Sequence, residues 1–203
     1  MKIVFLAPFG IRPKGTVLAR MIPIAVGLKQ LEHEVVIIAP PYTNPEDSGR
    51  EDFVQGIRLS NIRLDTTLGA TPLVLAWRMF RLAMAEQPDL VHLFKPKGYG
   101  GLAAMLLILL RGIGFRLPPL MVDSDDWEGR GGMNDILPYS RAERWVFAFQ
   151  EQWLLSRALA VSVASRGLEQ MVRELGVVPE SCCYLPNGVG QLSFADGGLI
   201  RRR

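Results

Sequence analysis

The chain has 203 residues, 49% of them hydrophobic and 21% charged, a composition that supports one sizeable core and excludes disorder or a fibre. Basic residues outnumber acidic ones by 23 to 20, and Arg201, Arg202 and Arg203 supply that excess, so the body of the chain is neutral. A neutral body lacks the basic stripe that a phosphate backbone requires, which argues against a nucleic-acid partner.

In chain order, Val-, Ile- and Leu-rich runs predict strands at Ile3 to Ala7, Val35 to Ala39, Ile57 to Ile62, Leu90 to Phe94, Leu120 to Asp123, Leu159 to Val163 and Cys182 to Leu185. None alternates as a strand with one wet face would, so the sheet is expected to be parallel and covered on both sides. Helices are predicted between them, at Thr16 to Leu31, Pro72 to Glu86, Tyr99 to Arg111, Ser140 to Arg157 and Arg166 to Leu175. Gly176 follows the last as a C-cap, and Asn44, Pro45, Asp47, Ser48 and Gly49 mark a polar loop. The fold class is therefore α/β, a doubly wound parallel sheet of Rossmann-like type. The pattern fades from Gln191 onward.

Several segments with other potential meanings read plainly. Lys2 followed by Ile3 to Ala7 is a buried strand rather than a signal peptide, because the apolar run is short and ends at Pro8. Leu102 to Leu110 is closed by Arg111, well short of the roughly 20 residues of a spanning helix. Cys182 and Cys183 are adjacent and suit neither a stapling disulfide nor a zinc site, which points to a reducing cytoplasm. Trp77, Arg78 and Arg81 would give a helix a weak membrane-surface face, extending the location to the inner membrane surface. Two cations are few for that, and an ordinary sheet-packing helix accounts for them.

Ligands of open α/β sheets bind beyond the carboxyl ends of the strands, so the loops that follow each run carry the candidate chemistry. After the first strand come Gly10, Lys14, Gly15 and Thr16, a helix start that suits an anion or a sugar, or alternatively a simple Thr16 N-cap. The spacing matches neither GxGxxG nor a Walker loop. After the fourth come Lys95, Lys97, Gly98 and Tyr99, two cations and an aromatic beside glycines that either expose backbone donors or allow close packing. After the fifth, Asp123, Asp125, Asp126 and Glu128 put four carboxylates within six residues around Trp127. Such crowding requires compensation by a metal, cations or a ligand, and raises at least one pKa toward a useful proton or hydroxyl partner. Trp127 offers a face for a sugar ring or a core side chain. Ser165 reads as an N-cap. Of the two histidines, His33 lies at a strand entry and His92 inside an apolar run, so neither a catalytic triad nor a histidine metal site is present.

Taken together, these residues resemble a family: the amino-terminal domain of retaining glycosyltransferases of two-Rossmann-domain GT-B fold, in the glycogen-synthase and phosphatidylinositol-mannosyltransferase-like group. The opening Lys2-Ile3-Val4-Phe5-Leu6, the stretch Leu28 to Pro40, Pro88-Asp89-Leu90-Val91-His92, Glu151 to Ser165 and Tyr184-Leu185-Pro186-Asn187-Gly188-Val189 carry the likeness in order. Glu32 stands where the family usually has glycine, Asp125 where it commonly has histidine, and Phe94 where many relatives carry a second histidine.

The resemblance implies one half of a GT-B fold over residues 1–189, followed by a tail or linker at 190–203. It implies transfer of a sugar from a nucleotide-diphosphate donor to a sugar or lipid-linked acceptor, without a metal or other cofactor. Asp125 and Asp126 are then the expected catalytic pair. Gly10, Lys14, Gly15, Thr16, Lys95, Lys97, Gly98, Tyr99, Trp127 and Glu128 would line the substrate site, with Asn187 and Gly188 as the hinge. The donor-gripping carboxy-terminal domain, with its Glu-x7-Glu motif, is absent from the sequence, so a partner domain in cis or in trans is expected and the chain alone would be inactive. Two other readings stand beside this one: a non-catalytic carbohydrate or lipid-head-group binding module, and a metal-dependent GT-A enzyme using Asp123-Ser124-Asp125 as a DxD motif.

Overall fold

The computed structural model describes residues 1–12, 15–65 and 71–188. Lys14 of the first loop and residues 189–203, including the tail and the start of any linker, lie outside the described residues. Within them an eight-stranded sheet runs through β1 (Lys2–Leu6), β2 (Glu34–Ala39), β3 (Glu51–Val54), β4 (Ile57–Asn61), β5 (Leu90–Phe94), β6 (Leu120–Ser124), β7 (Ala160–Val163) and β8 (Cys182–Tyr184). Their spatial order is β3-β4-β2-β1-β5-β6-β7-β8, and every neighbouring pair is parallel except β3 with β4.

All seven predicted strands are present, and β3 is an additional antiparallel edge. It is short, acidic and exposed, so it carries no apolar run to betray it. Its hairpin is nonetheless written in Gln55 and Gly56, both in the left-handed region at φ 52° and 75°, as a tight two-residue hairpin turn requires.

Alternate residues of the central strands feed two cores, which is why their sequence looks uniformly apolar. Ile3, Phe5, Val35 and Ile37 face Val17, Met21, Ile22 and Ala25 around α1 (Ile22–Gln30). Val4, Leu6, Val36 and Ile38 face the other way, onto α2 (Thr71–Ala85) and α3 (Gly98–Gly112) through Leu75, Met79, Ala103 and Leu107. The same layer is completed by α5 (Arg141–Leu155) and α6 (Arg166–Glu174), while α4 (Met133–Ile136) is a single unpredicted turn beside the acidic loop.

Local capping fixes several boundaries. Ser140 and Glu143 form a reciprocal capping box at the start of α5, and Ser165 Oγ accepts from the Leu168 N–H at the start of α6. Gly176 ends α6 in the left-handed region at φ 92°. Thr16, in contrast, makes no side-chain cap: its own backbone is helical, and it leads into a π turn over Val17–Met21 that continues as α1. Pro23 follows that turn and brings no N–H with which to close an ordinary ladder onto Ala19.

The chain passes from β1 to β2 along one direction of the sheet and from β5 to β6 along the other. The loops after β1 and β5 therefore flank the point where the winding reverses, the edge at which such sheets hold ligands.

Candidate functional site

Two polar assemblies sit at that edge. The first centres on Asp123 near the end of β6, which is fully buried. Arg20 reaches it from the π turn with Nε donating to Oδ2 at 2.6 Å and Nη2 donating to Oδ1 at 2.7 Å, and Ser162 Oγ on β7 donates to Oδ1 at 2.5 Å. The same guanidinium donates to the Asn187 side-chain oxygen at 2.7 Å and the Leu185 carbonyl at 3.0 Å. Arg20 thus ties the turn after β8 to the helix after β1 and to β6, three segments far apart in sequence. These bonds commit Asp123 to protein partners, which opposes its use with Asp125 as a metal-holding DxD pair. Among the described residues no group of three or more His, Cys, Asp or Glu is arranged to hold a metal ion.

The second assembly joins the loops after β5 and β6. Lys95 lies in the left-handed region at φ 55°, a strained conformation for a side chain of this type, and its N–H is bound to the Asp123 carbonyl at 3.1 Å. Its Nζ lies 3.0 Å from Asp125 Oδ1, 2.5 Å from Asp126 Oδ2 and 3.4 Å from Glu128 Oε1. Lys97 Nζ lies 2.5 Å from Glu128 Oε2 and 3.0 Å from Asn134 Oδ1. The two lysines are buried and offset most of the charge of the three carboxylates they pair with, Asp125, Asp126 and Glu128.

The electrostatics follow from burial and pairing. Burial works against the charge of Lys95, but Asp125, Glu128 and Asp126 outweigh it and raise its pKa. Burial also raises the Asp125 carboxyl, opposed by Lys95 and reinforced by the charges of Asp126 and Asp123. Asp126 differs in being 46% exposed at its side chain, so it is the carboxylate of the cluster most open to solvent.

Beneath the turn, Glu151 from α5 accepts from the Glu128 N–H at 3.0 Å, while its other oxygen has no partner among the described residues. Burial, with Glu128 nearby, pushes this carboxyl up to about 8. The sequence reading missed Glu151, Asn134, Ser162 and Arg20. Arg20 alone left a signal, as a single cation inside the apolar run Val17 to Ile22.

Gly129 and Gly132 of the acidic turn serve close packing, whereas Gly98 and Gly131 have nothing within 4 Å of a Cβ and supply positive φ of 65° and 77°. A Cβ on Gly132 would lie 2.1 Å from the Trp127 carbonyl oxygen, and one on Gly129 would lie 2.9 Å from Glu151 Oε2 and from the indole. Trp127 packs against the core and donates its ring N–H to the Arg130 carbonyl at 3.0 Å. Gln150 clamps Gly98, accepting from its N–H at 2.8 Å and donating to its carbonyl at 3.2 Å. The Gly98 N–H, one of the backbone donors the sequence offered to a ligand, is therefore occupied within the protein. Gly10 packs on Asn44, whereas Gly15 stands in open space beside the half-buried Thr16.

Tyr99 meets Tyr42 edge-on at 5.6 Å between ring centroids. His92 is a core residue packed against Phe5 and Phe94, and burial together with Arg20 pushes it down to about 3, so it stays neutral. On α2, Arg78 bonds the Arg63 carbonyl and Asp65, while Trp77 stacks on Phe80. Among the described residues no helix is long and apolar enough to cross a membrane.

The architecture is shared with known proteins. The fold matches Anabaena Alr3699/HepE, solved with UDP and glucose, at TM-score 0.59 and 17% identity over 93% of this chain and 45% of that one. It matches the catalytic domain of starch synthase IV from Arabidopsis thaliana, solved with ADP and acarbose, at TM-score 0.56 and 13% identity over 93% and 52%. UDP-GlcNAc 2-epimerase from Methanocaldococcus jannaschii gives TM-score 0.58 and 12% identity over 90% and 44%. The chain thus spans about half the length of these structures, and at such identities the likeness establishes the fold, half of a GT-B architecture. No curated protein matches the sequence. The family model for a glycosyl transferase 4-like domain matches residues 16–188, so the chain belongs to the glycosyl transferase 4-like domain family.

Proposed function

We propose that the chain is the acceptor-binding half of a retaining glycosyltransferase, which moves a sugar from a nucleotide-diphosphate donor to a glycan or lipid acceptor. A carboxy-terminal lobe, in cis or in trans, would hold the donor. The observation that carries this reading is the Lys95 cluster: a half-exposed Asp126 and a partly buried Asp125 share one strained lysine at the winding-reversal edge of a glycosyltransferase-family sheet.

In this reading Asp126 accepts a hydrogen bond from the acceptor hydroxyl and fixes its direction. Lys95 holds both aspartates in place, and Lys97 with Glu128 and Asn134 supports the turn from below. Strain of this kind at a strand end costs about 1–3 kcal/mol and persists where its surroundings impose it, as they do at working sites. The first loop, with Lys14, Gly15 and Thr16, approaches the donor phosphates, and Asn187 with Gly188 leads into the second lobe. Lys95 and Lys97 pair with Asp125, Asp126 and Glu128, which supports a reading in which lysines rather than a metal offset the crowded carboxylates. Two of the solved structures that share the fold contain a nucleoside diphosphate, which supports the donor class.

The test joins the protein after Gly188 to the nucleotide-binding half of a GT-B relative and assays a panel of nucleotide sugars for transfer. Sugar transfer with the anomeric configuration kept supports the reading. Glycan binding without transfer in any joined form would leave a binding module instead.

A further inference from the structure

A cleft of about 450 Å³ opens between the loops after β1 and β2 and helices α3 and α5. Tyr42, Tyr99, Leu102, Tyr139, Val146 and Phe147 form the larger apolar side chains of its wall. The aromatic rings stand in two edge-to-face pairs, Tyr42 with Tyr99 at 5.6 Å and Tyr139 with Phe147 at 5.1 Å between centroids. The Lys97 ammonium lies 5.4 Å from the Tyr139 centroid and 5.8 Å from that of Phe147, so the cleft and the ionic cluster share a wall.

The amide and carboxylate groups at the cleft are already engaged. Gln150 is bound in both directions to the Gly98 backbone, and Glu143 holds Ser140 through the capping box. Apart from the hydroxyls of Tyr42, Tyr99 and Tyr139, the wall is ring faces and aliphatic carbons, a mostly apolar surface that takes up hydrocarbon more readily than a polyhydroxylated sugar, which needs many hydrogen-bonding partners. Resting on the acceptor-half reading above, we infer that the cleft holds the hydrocarbon part, alkyl or aryl, of an amphiphilic acceptor whose hydroxyl end points to Asp126. The substrate class is then a lipid-linked or aryl-linked alcohol or glycoside rather than a free polar glycan.

The test titrates the full chain with three probes that differ only in the group on the sugar: methyl, phenyl and octyl β-D-glucopyranoside, the last below its micelle concentration. Binding is read from NMR shifts of the Leu102 and Val146 methyl groups. The octyl or the phenyl probe is expected to bind at least about tenfold tighter than the methyl one, since each buried methylene adds to affinity. An octyl preference identifies a chain-like acceptor, and a phenyl preference an aryl one.

Val146→Trp fills the cleft and should weaken that binding tenfold or more, with Leu102→Phe as a milder second variant and circular dichroism as the check on folding. Phe149→Ala, on the same helix outside the wall, should leave it unchanged. Equal affinities for the three probes, or binding untouched by both filling variants, would overturn the inference. These readouts need neither donor nor transfer. A joined enzyme that glycosylates only wholly polar acceptors would overturn the cleft assignment and leave the transferase reading intact, whereas probe binding without transfer in any joined form would do the reverse.

Discussion

Arg20 and Asp123 lie 103 residues apart and meet in a two-point buried ion pair, 2.6 and 2.7 Å long, that also carries Ser162 and Asn187. Removing one partner strands the other charge in the interior. Arg20→Ala should lower stability by about 3–5 kcal/mol in urea denaturation, whereas replacing the whole set as Arg20→Met, Asp123→Leu and Ser162→Ala should recover most of that loss. An Arg20→Ala variant within about 0.5 kcal/mol of the wild type would show that the pair is not buried as described.

The glycines of the acidic turn separate packing from mere flexibility. Gly132→Ala brings a Cβ against the Trp127 carbonyl, a backbone atom that cannot swing aside, and should lower stability by about 1–3 kcal/mol. Gly112→Ala, at the end of α3 with nothing within 4 Å, should be neutral or stabilising. Thermal melts of the two variants check the contrast, and equal melting temperatures would refute it.

Glu151 gives a pH signature of unusual sign. Its folded-state pKa, about 8, lies above the ordinary 4.5. The folded protein therefore binds the extra proton between those values, and this group's contribution to stability falls as pH rises through that window. Glu151→Gln mimics the protonated carboxyl and removes the titration. Relative to wild type it should gain stability progressively from about pH 5 to pH 8, as measured by denaturant midpoints across that range. A difference between the two proteins that does not change with pH would contradict the assignment.

The strand runs, five helices and the Ser165 and Gly176 caps were legible because each leaves a local mark, an apolar run, an N-cap or a glycine after a helix. β3 was not, because an exposed acidic edge strand has no core face and is set by its partner β4 and the Gln55-Gly56 turn. The crowding of Asp125, Asp126 and Glu128 was visible in the sequence. That Lys95 and Lys97 are what compensates it was not, because the pairing spans about thirty residues and depends on β5 lying beside β6. Glu151 looks like an ordinary surface residue until α5 turns it inward, and Ser162, inside a strand expected to be covered, gives no sign of its Asp123 partner.

The most direct measurement compares acceptor and donor kinetics of Asp126→Asn in the joined transferase. Asp126 is exposed enough that the change should cost the fold less than about 1 kcal/mol. The acceptor kcat/KM should fall by about 10²-fold or more, as expected for a lost hydroxyl-orienting group, with the donor KM unchanged. Transfer at the wild-type rate, or a loss confined to donor KM, would contradict the placement of the acceptor at the acidic turn.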